Sequence, residues 1–436
     1  MVVGTHHAPR QPGGVDADVT DTAGPPEGPD EPPAPRSGAP GPQGTYGPGA
    51  GASPSGAGAA RRRNRWLGAL ALGVSVLVLA AGGAGWVAYR KLDGNITRDT
   101  DAAAELERYE KERPTPLVHD AQNILLIGSD TRAGEENRKY GRDAGTQRSD
   151  TTILLHLAAD RQSATAVSIP RDLMVDIPGC LRPDGSRTRA QFAQFNWAFE
   201  LGGTACTIRT VEKLTRIRVD HHMVVDFAGF KDMVDAVDGV QVCVKAPIDD
   251  EDAQVRLAPG PRTLDGEQAL GYVRARKSLG NGSDTERMDR QQEFLGALVN
   301  KVQSNDVLLN PTKLYPVLDA ATSSLTTDPG IASLRGLYEL VRGMRDIPTE
   351  RVQFLTVPRK SYTYDANRDE LVEPAAEQLF TRLRADTPVA VIPEKPVKPA
   401  PSQEQVRGDG KPDEPTHTPS PAPTFRGNTA AETACE

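Results

Sequence analysis

Arginines and aspartates recur together along the 436-residue chain, in Arg148-Ser149-Asp150, Pro170-Arg171-Asp172, Arg274-Ala275-Arg276 and Arg287-Met288-Asp289-Arg290. A further piece, Gly128-Ser129-Asp130-Thr131-Arg132, closes an apolar run. A guanidinium is always charged and presents a planar fork of donors, which suits phosphate oxygens. A pyrophosphate offers many acceptors, so it requires several arginines drawn from different elements. Arg148, Arg171, Arg274, Arg276, Arg287 and Arg290 are the candidates. Taken singly, each reads more readily as a surface ion pair; it is the set, beside strand ends and on a helix's inner face, that argues for phosphate. Asp130 and Asp150, at neighbouring strand ends, could share a Mg²⁺ (Mn²⁺ is the alternative), with the substrate supplying further ligands. As turn or cap residues they need no metal. Asp172 either orients Arg171, acts as a base or caps a turn.

These side chains need elements to hold them. Asn123–Gly128 is a continuous apolar run, the pattern of a strand buried on both faces. Residues 131–147 read as a surface loop. Thr151–Leu157, Ala164–Ile169, His222–Val225, Val240–Val244 and Val352–Pro358 read as further strands. Helical spacing covers Gln191–Leu201, Phe227–Val237, a stretch from Leu264 towards Arg274, Leu334–Met344 and Pro374–Leu383. Ser283-Asp284-Thr285-Glu286 has capping-box form, and the helix after it carries Phe294, Leu295, Leu298, Val299 and Val302 on one face. Arg287 and Gln291 stack on that face, so they point to the core side, where a cation needs an anion. Strands alternating with helices predict a three-layer α-β-α domain around a central mixed sheet.

Composition sets the frame. Residues 1–60 are dominated by Gly, Pro, Ala and Ser and are expected to be a disordered arm. Residues 391–436 read as a disordered Pro-rich tail. Residues 61–91 hold Arg61-Arg62-Arg63-Asn64-Arg65 and then 24 uncharged residues from Trp66 to Tyr89, long enough to cross a bilayer. The positive-inside rule places the arm in the cytoplasm and the domain outside, on a single-pass anchor. Residues 92–113 read as a stalk and 114–390 as the folded domain. A net charge of −8 gives no reason to expect a nucleic-acid partner. The chain has four cysteines. Cys180 and Cys206 flank one excursion of an exported domain and are expected to pair. Cys243, in a strand, is expected to be a buried free thiol, and Cys435 lies in the tail. His119, His156, His221 and His222 lack metal-ligand spacing and read as structural. No serine-hydrolase, Walker or dinucleotide signature is present.

The series Asn123-Ile-Leu-Leu-Ile-Gly-Ser-Asp130, Arg148-Ser-Asp-Thr-Thr152, Ser168-Ile-Pro-Arg-Asp172, Val224-Val-Asp-Phe-Ala-Gly-Phe230, Leu264-Asp-Gly-Glu-Gln-Ala-Leu270, Val273-Arg-Ala-Arg276 and Arg287-Met-Asp-Arg-Gln-Gln292 resembles the LytR-CpsA-Psr family. That resemblance implies an enzyme of the Gram-positive envelope. It would move a glycopolymer from a polyprenyl-pyrophosphate carrier onto a peptidoglycan hydroxyl and release polyprenyl phosphate. Carried over by motif, Asp130 and Asp150 would bind Mg²⁺. Arg148, Arg171, Arg274, Arg276, Arg287 and Gln291 would hold the pyrophosphate, and the lipid tail would enter a tunnel between sheet and helices. Among these, Arg148, Arg171, Asp172 and Arg276 are the catalytic candidates. Many relatives read Lys-Ile-Asn-Ala where this chain has Gln194-Phe195-Asn196-Trp197, so a lysine contact is absent or replaced. A polyprenyl-pyrophosphate hydrolase and a non-catalytic lipid-binding regulator are the rival readings.

Overall fold

The computed structural model describes residues 57–129, 149–276, 284–304, 310–392, 423–432 and 435. They fall into two units, the first ending at Leu72 and the second running from Gly73. Helix α1, Ala57–Asn95, carries an apolar stretch from Trp66 to Asn95 of mean hydropathy 2.1, long enough to cross a membrane.

In chain order the elements of the second unit are β1 (Thr97–Arg98), α2 (Thr100–Arg108), β2 (Gln122–Ser129), β3 (Ser149–Leu157), β4 (Ala164–Ile169), β5 (Met174–Ile177), β6 (Gln191–Gln194), α3 (Trp197–Thr215), β7 (His221–Val225) and α4 (Phe227–Ala236). There follow β8 (Val240–Val244), β9 (Ile248–Asp250), β10 (Val255–Leu257), β11 (Gly260–Leu264), α5 (Gly266–Arg274), α6 (Asp284–Gln303), α7 (Pro311–Ser324), β12 (Leu325–Thr327) and α8 (Leu334–Arg345). The last are β13 (Val352–Thr356), β14 (Arg359–Tyr362), β15 (Asp365–Leu371), α9 (Ala375–Arg384), β16 (Ala390–Ile392) and β17 (Thr424–Thr429).

A nine-stranded sheet of order β1-β12-β7-β2-β3-β4-β13-β17-β16 divides the layers. It is mixed: β2 pairs β7 in parallel and β3 antiparallel, and β4 pairs β13 in parallel. Side chains alternate across it. Leu125, Ile127, Leu154, Val167 and Leu355 face one core with α2, α3 and α9 residues such as Leu106, Ile208 and Leu379. Ile124, Ile153, Ala166 and Phe354 face the other, with Leu340 of α8. A third cluster joins β8–β11 to α4, α5 and Phe294 of α6. Gln292 pins α6 to the sheet, its Nε2 donating to Ser168 Oγ at 3.1 Å and Thr356 Oγ1 at 3.0 Å. Helix α4 lies close on α7 because residue 229 is glycine; a Cβ there would come within 2.5 Å of Ser324 Cβ.

Four sequence expectations change. The span 92–113 is not a free stalk: Leu92, Ile96, Ala102 and Leu106 are buried and β1 joins the sheet edge. Gln191–Gln194 is a strand paired with β5, and the helix begins only at Trp197, because the antiparallel partner overrides aromatic helical spacing. The tail read as disordered contains β17, inserted between β13 and β16. Its Gly427 allows that approach, since a Cβ would lie 2.2 Å from Phe354 O. Cys243 is not a free thiol but is bonded to Cys435. Cys180 and Cys206 form the second disulfide, with Cα atoms 5.5 Å apart.

Candidate active site

Strands β2, β4 and β7 end, and β3 begins, on the same edge of the sheet, the place where open α/β sheets hold ligands. A cavity of ≈ 1420 Å³ opens there between the sheet and helices α4–α8. Asp150, Arg171, Arg274, Arg276, Arg287 and Gln291 all line it. Beyond them the walls are mostly apolar: Ile124, Leu126, Ile153 and Met223 from the sheet face Phe230, Leu298, Leu318 and Leu337 from the helices, although Asp226, Asp250, Asp252, Arg335, Arg342 and Arg345 also line it.

Each charged side chain has a local reason for its place. Arg171 follows the end of β4; its Nη1 donates to Asp150 Oδ1 at 2.9 Å and its Nε to Asp172 Oδ2 at 3.1 Å. Asp172 also accepts from Gln194 Nε2 at 2.6 Å, and Arg368 lies 3.7 Å from it. An Asp265 capping box starts α5, which delivers Arg274 and Arg276 at its far end. The Arg274 guanidinium sits over the Phe227 ring at 4.7 Å, next to the end of β7. The backbone N–H of Arg276 donates to buried Asp250 at 2.7 Å, and Asp250 also closes its own loop onto Asp252 and Ala253. Arg287 is only 5% exposed on the first turns of α6. Gln291 donates to Val273 O at 3.2 Å, tying α6 to the end of α5.

The remaining predicted site residues lie elsewhere. Asp130 and Arg148 fall outside the described residues, as does the segment between them. Arg290 turns from the cavity; its Nη2 donates to Ala275 O, and burial draws its guanidinium below the ordinary value. Asp172 stands behind Arg171 rather than among the lining residues. Sequence reasoning missed Asp250, whose part in placing Arg276 is visible only as a long-range bond. It also missed helix α7, whose Leu314, Leu318 and Ala321 line the cavity. Their spacing of four and then three residues, one face of a helix, was the available signal.

The LytR_cpsA_psr family model matches residues 93–385. The chain belongs to this family. Among curated relatives, it is 35% identical over 294 residues to the probable cell wall biosynthesis protein LcpB of Corynebacterium glutamicum, covering 65% of this chain and 66% of that one. The matched part thus spans just under two thirds of LcpB. It is 29% identical over 318 residues to the polyisoprenyl-teichoic acid–peptidoglycan teichoic acid transferase TagT of Bacillus subtilis, covering 69% of this chain and 89% of TagT. Among solved structures, protein gbs0355 of Streptococcus agalactiae has the same fold, with a TM-score of 0.51 at 22% identity, over 62% of this chain and 91% of that one.

Proposed function

We propose that the chain is a membrane-anchored phosphotransferase that moves a glycopolymer from a polyprenyl-pyrophosphate carrier to a peptidoglycan hydroxyl. The observation that carries this is a single cavity with arginines at the strand ends and an apolar interior. That is the shape and polarity of a lipid with an anionic head. The relative TagT is named as a transferase of a polyisoprenyl-linked polymer to peptidoglycan. The α1 span anchors the domain, and Arg61–Arg63 and Arg65 before it orient the domain outward by the positive-inside rule.

In the reaction, the acceptor oxygen attacks the glycan-bearing phosphorus. The phosphoanhydride bond breaks, polyprenyl phosphate leaves and the hydroxyl proton passes to a carboxylate, Asp172 or Asp150. Arg171, Arg274, Arg276 and Arg287 hold the pyrophosphate and neutralise charge gathering on the leaving phosphate. Apolar walls around the tail fix the head at the arginines and keep water from it.

Among the described residues no group of three or more His, Cys, Asp and Glu side chains forms a metal cage. Asp150 at the arginine end still fits Mg²⁺ (or Mn²⁺), which takes one or two carboxylates and completes its shell with phosphate oxygens. Asp150 would hold it, with Asp130 the expected second ligand, and its chemistry there is charge neutralisation on the phosphates.

The test is incubation of the purified protein with a lipid-pyrophosphate glycan, Mg²⁺ and peptidoglycan fragments, read by mass spectrometry. The joined product is expected. Lipid phosphate released without joining would favour a hydrolase, and absence of turnover would sink the reading.

A further inference from the structure

Asp172 has two sides. One carries Arg171 and, through it, the lipid cavity. The other faces two antiparallel strand pairs, β5–β6 and β14–β15. A bridge between Leu173 and Asp369 joins them, and Asp369 N donates to Asp172 O at 3.1 Å. Gln194 on β6 donates to the Asp172 carboxylate. Phe192 lies two residues earlier on the same strand face, about 7 Å along it. Its ring is 6.2 Å from that of Tyr362, which is 5.4 Å from that of Tyr364. Phe192 is 54% exposed and Tyr364 86% exposed. Single exposed apolar side chains need no explanation. Aromatic rings in mutual contact, continuous with a candidate catalytic carboxylate, do.

We propose that Phe192, Tyr362 and Tyr364 form a saccharide subsite on which the acceptor glycan lies while its hydroxyl reaches past Asp172 to the phosphorus. The proposal rests on the phosphotransferase reading of the site. The rings offer flat apolar faces to the C–H faces of sugars, and the same strand pairs carry polar side chains: Gln194 on β6, and on β14–β15 Arg368 and the Lys360–Glu370 pair, 3.1 Å apart. In-line displacement places the attacking oxygen opposite the leaving group. The leaving lipid phosphate occupies the cavity, so the acceptor enters from the other side of Asp172, where the rings are. A saccharide is also present in the donor, and the experiment separates the two sources.

The full chain is reconstituted in nanodiscs as wild type, Phe192→Ala, Tyr364→Ala and Tyr364→Trp. Calorimetry measures binding of soluble peptidoglycan glycan fragments without donor, and kinetics give KM for fragments and for lipid-linked donor separately. Each Ala variant is expected to weaken fragment binding and raise acceptor KM by about 2- to 12-fold, with donor KM unchanged and Tyr364→Trp like wild type. Unchanged fragment binding in both Ala variants overturns the proposal, as does a rise confined to donor KM. The binding arm needs no turnover, so loss of the phosphotransferase reading would show separately, as a wild-type protein that binds fragments without joining them.

Discussion

Arg287 and Arg290 lie one helical turn apart on α6, yet the structure gives them different work. Arg287 is buried against the cavity, whereas Arg290 donates to the carbonyl of fully buried Ala275. Replacing each by Met in turn separates the roles. A hydrogen bond to a charged group contributes about 1.5–3 kcal/mol. Arg287→Met is therefore expected to weaken binding of geranylgeranyl pyrophosphate by about 10- to 150-fold. Arg290→Met withdraws a donor from a buried carbonyl, which costs about 1–3 kcal/mol of stability. For a domain of this size that lowers Tm by roughly 2–12 °C. Calorimetric titration and thermal unfolding of the same preparations measure both quantities. The reasoning fails if Arg287→Met lowers Tm and binds the lipid within about twofold of wild type. It fails equally if Arg290→Met loses affinity at an unchanged Tm.

Filling the cavity with Leu337→Trp should leave the fold intact but weaken long prenyl pyrophosphates more than short ones. Each excluded CH₂ is worth about 0.8 kcal/mol, so titration of a chain-length series checks it. Reduction of the disulfides should destabilise the domain, by about 3.5 kcal/mol for the 26-residue separation of Cys180 and Cys206 and about 5 kcal/mol for the 192-residue separation of Cys243 and Cys435 on the chain-entropy model; urea unfolding of Cys→Ser variants of each pair measures the two contributions. Burial raises the carboxyl pKa of Asp328, but the bond from His221 and the backbone N–H of His222 outweigh it and hold it below 3.8. Its contribution is thus full above the unfolded value of about 3.9 and is lost as pH falls through the folded one. Asp328→Asn should lose about 1–3 kcal/mol at pH 7, with the gap to wild type closing towards pH 2 in acid-unfolding curves.

The strands around β2, β3 and β4 were readable, and so was the placing of Arg171, Arg274, Arg276 and Arg287, because their signals are local. The apolar run Asn123–Gly128 and the stacking of Arg287 on Gln291 follow from periods of two and 3.6 residues. The cavity was not readable in its walls: Leu318 or Phe230 on a helix face signals burial, and packing against a neighbour looks the same in sequence as lining a space. Asp250 gave no signal because its partner, Arg276 N, is 26 residues away. Gln191–Gln194 misled because β pairing depends on a strand elsewhere. Strand β17 was hidden because Thr-Phe-Arg-Gly-Asn-Thr has one apolar side chain to pack and lies beyond a Pro-rich stretch.

That strand bears on how the protein is made. Strand β13, seventh in the sheet order, waits on one side for a partner synthesised some 70 residues later, and Cys243 waits for Cys435. If the domain crosses the membrane during synthesis, β2, β3 and β4 can pair early, while the far flank stays open until residues 424–435 have emerged. On that route the Cys243–Cys435 bond can form only after Cys435 has crossed. Its oxidation state therefore serves as a timestamp, marking molecules whose translocation has run through that residue.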